Sequence, residues 1–358
     1  MNGSPADFAP ASGYVVAMTI ARPLTAPALC TAALSALLAL TSCGGGVTST
    51  GPIDGHVAMK HVSHLCETIG ARPFGSEQLA AATDYLASEI QKLGLEAKRH
   101  EVVDQPSGLT IRNLYCQIDG QDPKDGPILM IAAHYDTKKT AGHPEPQYNF
   151  PFVGAIDGGG APAVLLELAR CLKTREPKLV PNVWLYWIDA EESIDFQWNT
   201  DRSLIGSKAF ARWLVREKVM PRIKTFVLID LIGDQNIKID KDGKSNPELQ
   251  QIFAQTAKAL DLTDRVYKYE SAATDDHEVF RDFGVPAVLL IDFTHRIGEQ
   301  RWLEMNPGTK APDAEGYAQW WHTKEDTVDK MSPEALAFTG NLVWAALVDL
   351  EKFVLKRK

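Results

Sequence analysis

Residues 184–198 read W-L-Y-W-I-D-A-E-E-S-I-D-F-Q-W. An apolar, aromatic run of strand length stops there at three acids, Asp189, Glu191 and Glu192. Carboxylates so placed can hold a cation or carry a proton. In extended backbone consecutive side chains point opposite ways, so Glu191 and Glu192 can take different tasks. An isolated Glu-Glu pair is usually a solvated turn, because charged residues are mostly exposed. Recurrence changes that reading. His134 and Asp136 follow the apolar run Pro127–Ala133, and Asp230 follows Thr225–Ile229. Asp157 lies in a glycine-rich loop opening a helix, where its plain alternative role is an N-cap. His322 lies in a loop before the last helix. Oxygen and imidazole donors without thiolate suit a catalytic Zn²⁺ that keeps an open coordination position.

These side chains converge only if their strands share one sheet. Strand patterns cover Glu96–Val103, Leu109–Asp119, Pro127–Ala133, the run from Trp184, Thr225–Ile229 and Val285–Ile291. Helical periodicity covers His56–Ile69, Glu77–Leu93, Ala161–Leu172, Gly206–Glu217, Pro247–Leu260 and Pro333–Phe353. Gly94 and Pro247 are the expected stop and start residues of two of these helices. Helices alternate with apolar strands, without an internal repeat or an interrupting linker. The expectation is one α/β domain, a mostly parallel mixed sheet sandwiched between helices. Acids at the C-terminal ends of such strands sit where open α/β sheets place their ligand crevices. The polar stretch from Asp292 to Gln319 carries no readable element.

The chain has 358 residues, 45% of them hydrophobic, enough for a full core. Its net charge of −9 disfavours phosphate contacts and therefore nucleic acid. From Met18, a possible start, one Arg precedes an Ala- and Leu-rich run ending in L-T-S-C at Leu40 to Cys43. That is an export signal, and its ending resembles a bacterial lipoprotein cleavage box. Residues 1–43 are thus expected to be a signal peptide, 44–55 a flexible tether and 56–358 the catalytic domain. The expected location is the bacterial cell envelope, lipid-anchored or secreted, with membrane contact only through the anchor. Cys66, Cys116 and Cys171 remain beyond the signal, without the spacing of a thiolate metal site or a disulfide framework.

The chain resembles the zinc aminopeptidases of peptidase family M28, and among them the glutaminyl-peptide cyclotransferases. The resemblance runs from about Val57 to the C-terminus. It is carried by A-R-P-F-G-S at Ala71 to Ser76, A-H-Y-D-T-K at Ala133 to Lys138 and F-V-G-A-I-D at Phe152 to Asp157. D-A-E-E at Asp189 to Glu192, D-R-S-L-I-G-S at Asp201 to Ser207 and D-L-I-G at Asp230 to Gly233 continue it. D-D-H at Asp275 to His277 and W-H-T at Trp321 to Thr323 complete it. It implies one zinc per chain on Asp157, Glu192 and His322, and Glu191 as proton shuttle beside Asp230 and Asp275. It also implies Trp198 and Trp321 as pocket walls, and conversion of N-terminal glutamine of peptides or proteins to pyroglutamate with release of ammonia. Two departures stand out. The stretch 292–319 is longer than its equivalent in the animal cyclases, and no cysteine pair accompanies His134. The residues alone equally permit a two-zinc aminopeptidase with His134 and Asp230 as further ligands. A non-catalytic surface protein that kept the fold would be expected to have lost Glu191 or a ligand, and none is lost.

Overall fold

The structure, a computed structural model, describes residues 51–293 and 320–357. The expected signal peptide, residues 44–50 of the tether and residues 294–319 of the polar stretch lie outside the described residues.

Strands β1 (Lys98–Val103) and β2 (Thr110–Ile118) precede β3 (Ile128–His134) and β4 (Asn182–Ile188). Then come β5 (Ile223–Asp230), β6 (Ile239–Asp242), β7 (Val266–Ser271) and β8 (Ala287–Ile291). The main sheet has the order β1-β2-β4-β3-β5-β8. Its strands β4, β3, β5 and β8 are parallel, while β2 and β1 extend it antiparallel. Every residue of β3 and β4 is buried, as a parallel sheet covered on both faces requires. From β3 the chain steps to β4 on one side and later crosses to β5 on the other. A ligand crevice is expected where the order reverses, at the C-terminal ends of β3 and β5.

Helices α1 (Gly55–Ser63), α2 (Glu77–Lys92) and α3 (Ala161–Lys173) are followed by α4 (Ile205–Arg216) and α5 (Pro247–Ala259). Helices α6 (Asp276–Asp282) and α7 (Pro333–Leu355) complete the set described. α1, α3, α5 and α7 pack against one another, and α3 rests on β3; α4 and α6 pack together against β2 and β5. Flanking helices therefore cover the sheet, and the α/β single-domain expectation holds. α7 starts where the sequence says it should: Ser332 Oγ accepts the Ala335 amide, and proline occupies the first turn.

The structure adds three details to the sequence pattern. Ile53 and Asp54, expected in the tether, belong to the fold: Ile53 is buried and its amide binds Asn341 Oδ1, while Asp54 caps α1. The first helix widens to a π-helix over His64–Ile69 and stops at Gly70, whose φ is +91°. There the Leu65 carbonyl accepts from both Gly70 N and the Arg72 guanidinium. β6 and β7 form a small parallel sheet that the sequence does not announce, being short and interspersed with charges. Cys66, Cys116 and Cys171 are buried free thiols. Among the described residues no helix is long and apolar enough to cross a membrane.

Candidate active site

The parallel strands end side by side, which brings the singled-out residues to one edge. His134 closes β3 opposite Ile188 of β4, and Asp230 closes β5 opposite Ile291 of β8. His134 Nε2 lies 3.0 Å from Asp230 Oδ1 and 3.3 Å from Asp157 Oδ1. His322 Nε2 lies 2.9 Å from Glu192 Oε1 and 3.4 Å from Asp157 Oδ2. Asp157 therefore stands between two triads, one with Glu192 and His322 and one with His134 and Asp230. It does not cap the following helix. Its backbone (φ −97°, ψ 93°) and that of Gly158 (φ +91°) break the helical turn and aim the carboxylate at the two histidines. A Cβ on Gly158 would come within 2.2 Å of the Asp136 carbonyl, so only glycine lets this loop approach β3 so closely.

The three acids after β4 turn to different partners. Asp189 turns back to β2, where its Oδ2 accepts the Arg112 amide at 2.6 Å. Ala190 takes a left-handed φ of +54°, and the turn it makes redirects the next two residues. The amides of Glu191 and Glu192 both donate to the carboxylate of Asp136, at 3.1 Å each. Glu192 goes to His322. Glu191 Oε2 instead comes within 4.0 Å of His134 Nδ1. Asp136 Oδ1 is also 3.5 Å from that nitrogen, so Asp136 sets both the histidine and the glutamate turn.

Charge follows from this packing. Burial pushes the Glu191 carboxyl well above the usual range; His134 opposes this, while Glu192, Asp275 and Asp276 add to it. Burial likewise raises Asp275, helped by Asp230 and Asp276, and lifts Asp276 to about 7 against a hydrogen bond from Ser207. Burial also acts to raise Asp157, but the adjacent His134 and His322 imidazoles outweigh it and hold the group low. For Glu192 burial is overcome by His322 and Lys138, whose Nζ lies 3.5 Å from Oε2. Burial disfavours charge on His134, yet Asp230, Asp136 and Asp157 together keep it well above the imidazole range.

Buried acid exceeds buried base here. Among the described residues, Lys138 and the two histidines are the only close ion-pair partners of Asp136, Asp157, Glu191, Glu192, Asp230, Asp275 and Asp276, and Asp157 Oδ2 accepts no hydrogen bond. A carboxylate-rich, thiolate-free donor set with an unsatisfied buried oxygen fits a divalent cation. Residues 113–347 match the profile of Peptidase family M28. The chain belongs to peptidase family M28. Its M28 sequence is similar to a bovine glutaminyl-peptide cyclotransferase-like protein, 32% identical over 126 residues, which are 32% of this chain and 31% of that protein. It is also similar to an aminopeptidase of Bacillus subtilis (strain 168), 26% identical over 240 residues, 64% of this chain and 42% of the relative. The chain thus spans less than half the length of these two curated relatives. Among solved structures, a glutaminyl cyclase from an Acidobacteriales bacterium superposes with a TM-score of 0.69 at 27% identity. The match covers 88% of this chain and 99% of that one. A Zn-dependent exopeptidase of Parabacteroides distasonis shares the fold, with a TM-score of 0.67 at 22% identity over 85% and 99% of the two chains.

The remaining site candidates fall as follows. Trp321 stacks on His322 with ring centroids 4.1 Å apart and meets Phe293 edge-on at 5.1 Å. Trp198 is half-buried and packs against the core margin in the loop after Glu192. Asp275 caps α6, and its Oδ2 has no hydrogen bond among the described residues. His277 lies away from the cluster, 3.2 Å from Asp242 of β6. The sequence places Asp136 in the candidate cluster without a role of its own, and gives Arg72, Lys138, Asp276 and Asp326 none. Asp136 and Lys138 stood in the A-H-Y-D-T-K motif, and their place after a buried strand was a usable signal. Arg72 and Asp326 gave no such signal, because both act on backbone groups that a sequence does not display.

Proposed function

We propose that the chain is a zinc-dependent glutaminyl-peptide cyclotransferase that closes N-terminal glutamine to pyroglutamate. The observation that carries this reading is the near-complete mutual coverage with a glutaminyl cyclase at 27% identity. Asp157, Glu192 and His322 would hold the ion. When bound there, zinc supplies Lewis-acid polarisation of the γ-carboxamide. The substrate brings its own nucleophile, so the chain needs to orient the α-amine rather than generate an attacking group. Glu191 accepts the proton that the amine loses as its nitrogen bonds to the γ-carboxamide carbon. It returns that proton to the departing nitrogen as the C–N bond breaks and ammonia leaves. Burial and neighbouring acids lift Glu191 toward the range in which one carboxyl can both take and give a proton. Asp275 and Asp276 sustain that shift. Trp321, held flat on His322, offers an aromatic wall beside the ion site. Export and lipid attachment at Cys43 remain part of this proposal, resting on the L-T-S-C sequence.

A second reading has an observation of its own. The His134, Asp157 and Asp230 triad could take a second ion, as a two-metal aminopeptidase would need to make hydroxide from water. Incubation of purified protein with a glutaminyl peptide and with leucyl and alanyl peptides separates the two. Pyroglutamate and ammonia from the first, with the others intact, is the expected result; free N-terminal residues would establish the aminopeptidase.

A further inference from the structure

Asp157 serves both triads from a loop that has abandoned helical geometry, which frees backbone groups on both of its sides. Buried amides and carbonyls must find partners elsewhere. Two buried ions of opposite sign supply them. Arg72, fully buried, donates through Nη1 to Val153 O at 3.0 Å and through Nη2 to Gly154 O at 3.4 Å and Gly158 O at 3.2 Å. The same guanidinium reaches Tyr135 O, beyond the end of β3, and Leu65 O and Gly70 O of the π-helical turn. Among the described residues no carboxylate pairs with it; its charge is spent on six carbonyl oxygens. From the opposite side Asp326, also buried, accepts the amide of Ile156 on Oδ1 at 2.8 Å and that of Asp157 on Oδ2 at 3.1 Å. Its own carbonyl accepts the Ala155 amide at 3.3 Å.

We propose that Arg72 and Asp326 are positioning residues that clamp the Asp157 loop, one through carbonyls and one through amides, and so set the affinity of the ion site. The chemistry divides cleanly between them. A planar fork of five N–H donors can serve several carbonyls at fixed angles, and a carboxylate can accept two adjacent amides. Asp326 stands four residues after His322, so its bonds also fix the spacing between His322 and Asp157, ligands 165 positions apart in sequence. Arg72 ties that loop to Tyr135 and thereby to the β3 end that carries His134. Neither residue belongs to either triad of candidate ion donors.

The inference rests on Asp157, Glu192 and His322 as the zinc group, and the test separates the two. Zinc Kd is measured by chelator competition, and Tm with and without zinc, for wild type, Asp326→Asn, Arg72→Lys and the core control Leu350→Ala. Asp326→Asn replaces one acceptor by an NH₂ group facing an amide, and should weaken zinc by about tenfold to a hundredfold. The zinc-induced rise in Tm should shrink with it. Arg72→Lys should move in the same direction, because an ammonium cannot reproduce the fork. Leu350→Ala, buried in α7, should lower both Tm values alike and leave Kd unchanged. If Arg72→Lys does not fold, Asp326→Asn decides; if that also fails, Asp326→Glu, which keeps both acceptors but displaces them, takes its place. A folded Asp326 variant with wild-type Kd would overturn the clamp alone. Wild type that binds no zinc would overturn the zinc reading and the clamp with it.

Discussion

The two triads that share Asp157 use the same donor types and differ in what else those donors do. In the His134 triad the histidine is completely enclosed, and its Nε2 already faces Asp230 at 3.0 Å. Asp230 Oδ1 in turn accepts the Leu231 amide. In the His322 triad the histidine side chain is 12% exposed, carries a tryptophan on its face, and faces the Asp157 oxygen that accepts no hydrogen bond among the described residues. One triad is an enclosed strut beneath the site, although His134 Nδ1 has no hydrogen bond among the described residues. The other has an open side and an unmet demand for positive charge. Ligand types alone therefore do not distinguish the two clusters; enclosure and the remaining contacts of each donor do.

Substitutions can break this contrast, and the largest effect is expected at Glu191. Glu191→Gln should leave zinc bound and reduce turnover by about a thousandfold, since an amide cannot shuttle a proton. Glu192→Gln removes a charged ligand and should lower zinc affinity by at least about a hundredfold. Equal metal loss in both variants would contradict the division of labour between the adjacent glutamates. In the strut, Asp230→Ala should cost about a hundredfold in turnover with zinc retained, and His134→Ala should keep normal zinc content. Both are read by metal analysis beside single-substrate kinetics.

Proton linkage gives two smaller tests. Glu191 must be ionised to accept the amine proton, and its folded pKa is raised. Activity should therefore fall as pH drops through a value well above the usual carboxylate range, seen as the acidic limb of kcat/KM. Asp276 is raised to about 7, above its unfolded value. Its favourable contribution is complete below the unfolded pKa and disappears as pH rises through about 7. In the metal-free chain Asp276→Asn should consequently raise Tm by several degrees at pH 8 and leave it nearly unchanged at pH 4.

Much of this was legible from residue order. Apolar runs ending in His134, Glu191–Glu192 and Asp230 predict their meeting, because strands of one parallel sheet end on one edge. Asp157 and His322 were legible as candidates through the family motifs they stand in. What could not be read were the bonds to backbone. Asp136 holding two glutamate amides, Arg72 holding six carbonyls and Asp326 holding the Asp157 loop depend on turns that place those groups. The separation of Asp189 from its neighbours depends on one left-handed residue, Ala190, which an alternating-strand picture does not contain. β6 escaped notice for another reason: four residues with alternating charge look like loop until β7 pairs with them.

The central claim is that one triad takes the ion and the other supports it. Zinc per chain, counted in purified protein during turnover of a glutaminyl peptide, tests it most directly. About one tightly held zinc and pyroglutamate as the product are expected, because the substrate's own amine replaces metal-bound hydroxide as nucleophile. Two tightly held zincs with release of free N-terminal residues would contradict it.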